Sequence, residues 1–104
     1  MLLSTTDSVE GRRIAAYLGI VSGDAIVGAN MFRDFFARVR DVVGGRAGGY
    51  ERALRTAKNA AMEDMIAEAA ELGADAILGV DLDYETVGES MLMVSANGTT
   101  VRLE

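Results

Sequence analysis

The stretch GGRAGGYERALRTAKNAAMEDMIAEAAEL, residues 44–72, decides the fold. Within it Leu54, Ala57, Ala61, Met65, Ala69 and Leu72 recur at steps of three or four, which lays them on one stripe of a long helix, widened by Ala53 and Ala60. Arg52, Arg55, Asn59, Glu63, Glu68 and Glu71 fall mostly off that stripe. Alanine favours the helix and keeps its buried face low, so whatever packs there can come close. Gly73 follows where a C-cap belongs. The charges run against the helix macrodipole, with Arg52, Arg55 and Lys58 near the positive end and Glu68 and Glu71 near the negative one. Either water solvates them at small cost, or groups from another segment or another subunit meet them.

The glycine pairs ahead of the helix have two readings. Backbone N–H groups freed at residues 44–49, beside Arg46 and a helix N-terminus, can cradle a phosphate or carboxylate, with Gly44, Gly45, Arg46, Tyr50 and Glu51 as the binding set. The plain alternative is that paired glycines carry the chain from one helix into the next. No Gly-Lys-Ser/Thr closes the loop, so it is not a nucleotide-binding P-loop.

Ahead of this stretch, residues 2–5 read as a short strand. Residues 12–27 are apolar and β-favouring, interrupted by Gly19 and by Ser22-Gly23-Asp24, which predicts a strand pair or one bent strand. Asn30 then caps a helix carrying Phe32, Phe35, Phe36, Val39 and Val43 at helical spacing, ended by Gly44. Beyond the long helix, residues 74–87 read as a strand with two faces. Ala76, Leu78, Val80, Leu82 and Tyr84 lie on one, and Ile77, Gly79, Asp81, Asp83 and Glu85 on the other. Gly88-Glu89 is the expected turn, residues 90–96 the next strand, and Asn97-Gly98 a hairpin turn into a last strand at Thr99, Thr100 and Val101. Strands, two helices and a three-strand meander make an α+β domain, with the helices covering one face of a largely antiparallel sheet.

At 104 residues and 50% hydrophobic, the chain is read as one domain over residues 1–104, near the lower end of comfortable core size. It has no cysteine and no proline, so no disulfide framework and no thiol site. Neither a secretory n-region nor a run of about 20 apolar residues is present, which leads to the expectation of a cytoplasmic protein off the membrane. The net charge of −6 divides unevenly: residues 1–58 carry nine Lys/Arg against six Asp/Glu, and residues 59–104 one against ten. Such a chain can pair its halves internally or head-to-tail between copies, and its acidic total argues against nucleic-acid binding. No histidine or cysteine is available as base or nucleophile and no serine has a base at a recognisable spacing, so no enzyme is expected.

Metal chemistry is narrowed in the same way. Soft ions want thiolate or imidazole, and only thioethers remain: Met91 and Met93 on one strand face, Met62 and Met65 one helical turn apart. Methionine at such spacing is commonly packing. Asp81, Asp83 and Glu85 offer hard oxygen donors from one face, but neighbours there stand about 6 to 7 Å apart along the strand, so they bracket an ion loosely.

The runs Gly28-Ala29-Asn30, Arg33-Asp34, Gly44-Gly45-Arg46, Tyr50-Glu51, Gly73-Ala74-Asp75-Ala76, Asp83-Tyr84-Glu85, Met91-Leu92-Met93-Val94-Ser95 and Gly98-Thr99, taken together and in order, resemble the YbjQ-like family of small bacterial and archaeal proteins. The resemblance covers nearly the whole chain. It implies a dodecin-like β-α-β-β subunit with an antiparallel sheet and two helices on one face, assembled as a ring-shaped homopentamer, in a family labelled for heavy-metal binding and without an established activity. The chain departs from that pattern at Ala47, where serine is common, at Thr100, where alanine is common, and in a shorter turn at Gly88-Glu89. The combined expectation is a self-assembling binding or scaffold protein whose partner is itself. A metal ion is the cofactor the resemblance suggests, at Asp81, Asp83, Glu85, Met91 and Met93, and a small anionic ligand at residues 44–49 is the alternative.

Overall fold

The computed structural model describes residues 1–28, 48–88 and 91–104, and for residues 48–50 the backbone alone. The helix expected from Asn30 therefore lies outside the described residues, as do Gly44, Gly45 and Arg46. The described elements are β1 (Leu2–Leu3), β2 (Ile14–Val27), α1 (Gly48–Glu71), β3 (Ala76–Val87) and β4 (Met91–Leu103). They form one four-stranded sheet in the order β1-β3-β4-β2, with α1 on one face. β4 pairs antiparallel with both neighbours, while β1 pairs parallel with β3 through Leu2 opposite Ala76 and Leu3 opposite Ile77. The α+β expectation holds with a mixed sheet in place of an antiparallel one. β1 runs beside β3 in the same direction, and the following residues 4–6 stay on the β3 edge, with Ser4 and Thr6 carbonyls accepting the Val80 and Gly79 N–H groups.

α1 buries the stripe read from its spacing. Ala57, Ala61, Met65 and Ala69 are buried, Leu54 is half-buried, and Leu72 at the end is exposed. At its C-terminus Gly73 takes a positive φ of 76°, and Gly73 and Ala74 donate to the carbonyls of Ala70 and Ala69, a Schellman closure. The helix lies so low that Gly23 of β2 meets its backbone. A Cβ built there would strike the Ala61 carbonyl and come within 2.5 Å of the Met65 nitrogen. Gly23 is thus a contact glycine inside a continuous strand, and Ser22-Gly23-Asp24 is no interruption. Of the two readings for residues 12–27, one bent strand is observed, bent at irregularities between Ile14 and Ala16 and between Tyr17 and Gly19. The second of these turns the Gly19 carbonyl toward the Thr100 hydroxyl, which donates to it at 2.7 Å.

Asn97-Gly98 is not a turn. β4 runs unbroken through it, and the meander is a single β3–β4 hairpin with β2 added on the far side of β4. The glycine is required for space: a Cβ at Gly98 would lie 2.5 Å from Ile77 Cγ2 and 3.1 Å from the Leu78 carbonyl oxygen. Opposite it β3 carries a bulge between Leu78 and Asp81, with Gly79 at φ 60°. The extra residue switches the alternation of β3 midway. Ile77, Val80 and Leu82 therefore all join the core under α1 with Val21, Val94 and Ala96, whereas Ala76 and Leu78 pack on the opposite face with Val101 and Leu103. Strict alternation had placed Ile77 with Asp81 and opposite Leu82. The second, smaller cluster is closed by Val9 of the N-terminal segment and by Ile14 at the start of β2.

Candidate functional site

The sheet face away from α1 holds the candidate residues. On β4, Leu92, Val94 and Ala96 are buried under the helix, so Met91, Met93, Ser95 and Asn97 present themselves on the other side, half-buried. Registers on both flanks extend these into rows across three strands: Ser22, Asn97 and Asp81; Asp24, Ser95 and Asp83; Ile26, Met93 and Glu85. Met91 stands opposite Val87. The two metal-candidate sets, the carboxylates of β3 and the methionines of β4, thus share one face, with Glu85 and Met93 directly opposite each other. Met62 and Met65 belong to the packing under α1 instead, Met65 wholly buried.

The rows bring in residues that sequence reasoning missed. Ser95 Oγ donates to Asp24 Oδ1 at 2.7 Å, which ties β2 to β4 on this face. Asp24 alternates correctly within its own strand, but only the pairing of β2 with β4 reveals that it meets the β3 carboxylates across Ser95. A side-chain hydrogen bond with Asp81 raises the Asp83 pKa above its ordinary 3.8, and the charges of Asp81 and Glu85 push the same way. Such a bond needs a proton on one of the two carboxyls, so it favours the protonated form of Asp83.

Chemically the face offers carboxylate oxygens, two thioethers and a hydroxyl. Soft heavy-metal ions are held chiefly by thiolate and imidazole, and this donor set contains neither, leaving the two thioethers of Met91 and Met93 as its soft donors. Among the described residues no group of three or more His, Cys, Asp and Glu side chains is close enough to enclose an ion. The residues do not fit a closed heavy-metal site. Asp81, Asp83 and Glu85 are exposed and offer carboxylate oxygens, the donor type of hard cations.

At the glycine loop, α1 already begins at Gly48, so the second glycine pair forms its first turn and Glu51 lies within that turn. Residues 44–47 and the Tyr50 side chain lie outside the described residues. Two shallow depressions open elsewhere on the described surface. One, about 280 Å³, is lined by Asp7, Tyr17, Leu78, Gly79 and Thr99; the other, about 400 Å³, lies against Leu2, Ser4, Thr6 and Val9. Neither contains a candidate residue. Among the described residues no helix is long and apolar enough to cross a membrane.

The fold is similar to that of a crystal structure of a protein of unknown function from Pediococcus pentosaceus ATCC 25745, of the DUF74 family. The two share 15% identity at a TM-score of 0.66, over 100% of this chain and 98% of that one. At that identity the likeness bears on the fold alone. The model of the YbjQ_1 family, described as "Putative heavy-metal-binding", matches residues 1–104, and the chain belongs to that family.

Proposed function

We propose that the protein is a self-assembling binding or scaffold subunit that works as a homo-oligomeric ring, a pentamer by resemblance to its family. The observation that carries this reading is the unfinished surface of the sheet. Among the described residues β2 is an edge along all 14 residues, and β3 is unpaired on its outer side beyond Val80. Tyr17, Ile20, Ile26, Tyr84 and Val87 are exposed on these two strands, Ile20 at 80%. A small protein gains stability by covering such edges with further copies of itself. The radius of gyration of 16.8 Å, against about 13 Å for a compact chain of this length, and extents of 53 × 25 × 16 Å describe an elongated plate.

Native mass spectrometry of the purified protein, before and after chelator treatment, tests the reading. A pentamer is expected; a monomer at tens of micromolar would overturn it. A second reading, binding of a divalent cation at Asp81 and Asp83, is favoured by their place on one exposed sheet face and by the family description. Titration with Mn(II) should then produce heat that Asp83→Asn abolishes, and equal heats from both proteins would remove that reading.

A further inference from the structure

α1 covers the sheet off-centre. It packs on β2 and β4 and reaches β3 only slightly, so Tyr84, on the helix side through its pairing with Val94, is left 47% exposed. In the other direction the helix reaches the free edge of β2, and two carboxylates one turn apart come down on that edge. Glu68 accepts the Ser22 N–H at 3.2 Å and Asp64 accepts the Asp24 N–H at 3.3 Å. These two N–H groups face away from β4, so they are the donors an added strand would use. Both bonds are long for a carboxylate acceptor, which ordinarily sits at about 2.7–2.9 Å, so an incoming backbone carbonyl can displace them.

We propose that the middle of the β2 edge is the docking strand for a second copy of this chain, and that Asp64 and Glu68 guard it until that copy arrives. The occupant is the open edge of the neighbour's β3, residues 81–87. Three features select it. The edge lies on the opposite side of the same sheet, so the contact repeats head-to-tail and can close into a ring. The half-bare Tyr84 and Leu82 of the incoming strand would pass beneath the neighbour's α1, which lies over β2, beyond which no strand lies among the described residues. Its Asp81, Asp83 and Glu85 point to the opposite face, away from Asp64 and Glu68, where the β2 edge presents Ser22 and Ile26 along with the single carboxylate Asp24. This inference rests on the self-assembly reading and assigns its junction.

The test is sedimentation velocity over a concentration series for the wild type, the double variant Asp64→Ala with Glu68→Ala, and Ser22→Pro, with circular dichroism reporting the fold. Proline at position 22 removes an edge donor without touching the β2–β4 ladder. The double variant should associate at a concentration at least tenfold lower than the wild type, and Ser22→Pro at one at least tenfold higher. If Ser22→Pro does not fold, the double variant decides alone. An assembling wild type whose midpoint neither variant moves, or a double variant that associates more weakly, overturns the junction and leaves self-assembly standing. A wild type and double variant that both stay monomeric overturn both.

Discussion

At the scale of single residues, the informative side chains are those that are missing. Gly23 and Gly98 both adopt ordinary strand backbone, and what excludes a methyl group is a neighbour in each case. At Gly23 that neighbour is helix backbone, which cannot turn aside; at Gly98 the nearest atom is the tip of a side chain, Ile77 Cγ2. Gly23→Ala should therefore cost about 3 kcal/mol, and Gly98→Ala about 1 kcal/mol, in urea unfolding. Asp83 gives a prediction in pH. Its folded pKa is raised, so the folded state binds the proton more tightly than the unfolded one, and stability falls as pH rises from the ordinary value of 3.8 through the raised one. Asp83→Asn should raise the melting temperature at pH 7.5, with the gain shrinking toward pH 4. A constant difference across that range would show that the Asp81–Asp83 contact does not control it.

Among the elements, α1 was legible because its signal is internal. A 3.6-residue period needs no partner to be seen, and the stripe from Ala57 to Ala69 is buried as its spacing predicts. Met65→Ala should consequently cost about 3 kcal/mol in thermal or urea unfolding, whereas Leu72→Ala, one step past the buried stripe, should stay within about 0.5 kcal/mol. The strands were less legible because their signals depend on what lies alongside. Asn-Gly serves a two-residue turn and, equally, a strand pressed against its neighbour, and residue 98 alone does not say which. The bulge of β3 is likewise a relation between two strands: Gly79 hints at it, but only the pairing with β4 shows that Ile77 and Leu82 share a face. The candidate site divides the same way. The row of Asp81, Asp83 and Glu85 was visible in one strand, whereas Asp24 enters from β2 and its bond to Ser95 belongs to tertiary pairing. Glu68, read as a charge at the wrong end of a helix, found its partner in another segment, the Ser22 amide.

For the whole molecule, the N-terminal segment carries more than its 13 residues suggest. It closes the cluster of Ala76, Leu78, Val101 and Leu103 with Val9 and pairs the outer edge of β3 as far as Val80. Removing residues 1–6 should lower the melting temperature and lengthen the open β3 edge, seen as light scattering at concentrations where the intact protein stays clear. The order of the strands has a consequence in time. β4 is the strand on which both β2 and β3 are paired, and it is also the one synthesised after all the others. On the ribosome β2 therefore waits through the making of more than sixty further residues before its ladder partner exists, with the edge that will meet β4 unpaired. α1 emerges in the interval and can close over Gly23 early, which makes the glycine contact a provisional shelter for a nascent strand as well as a feature of the finished plate.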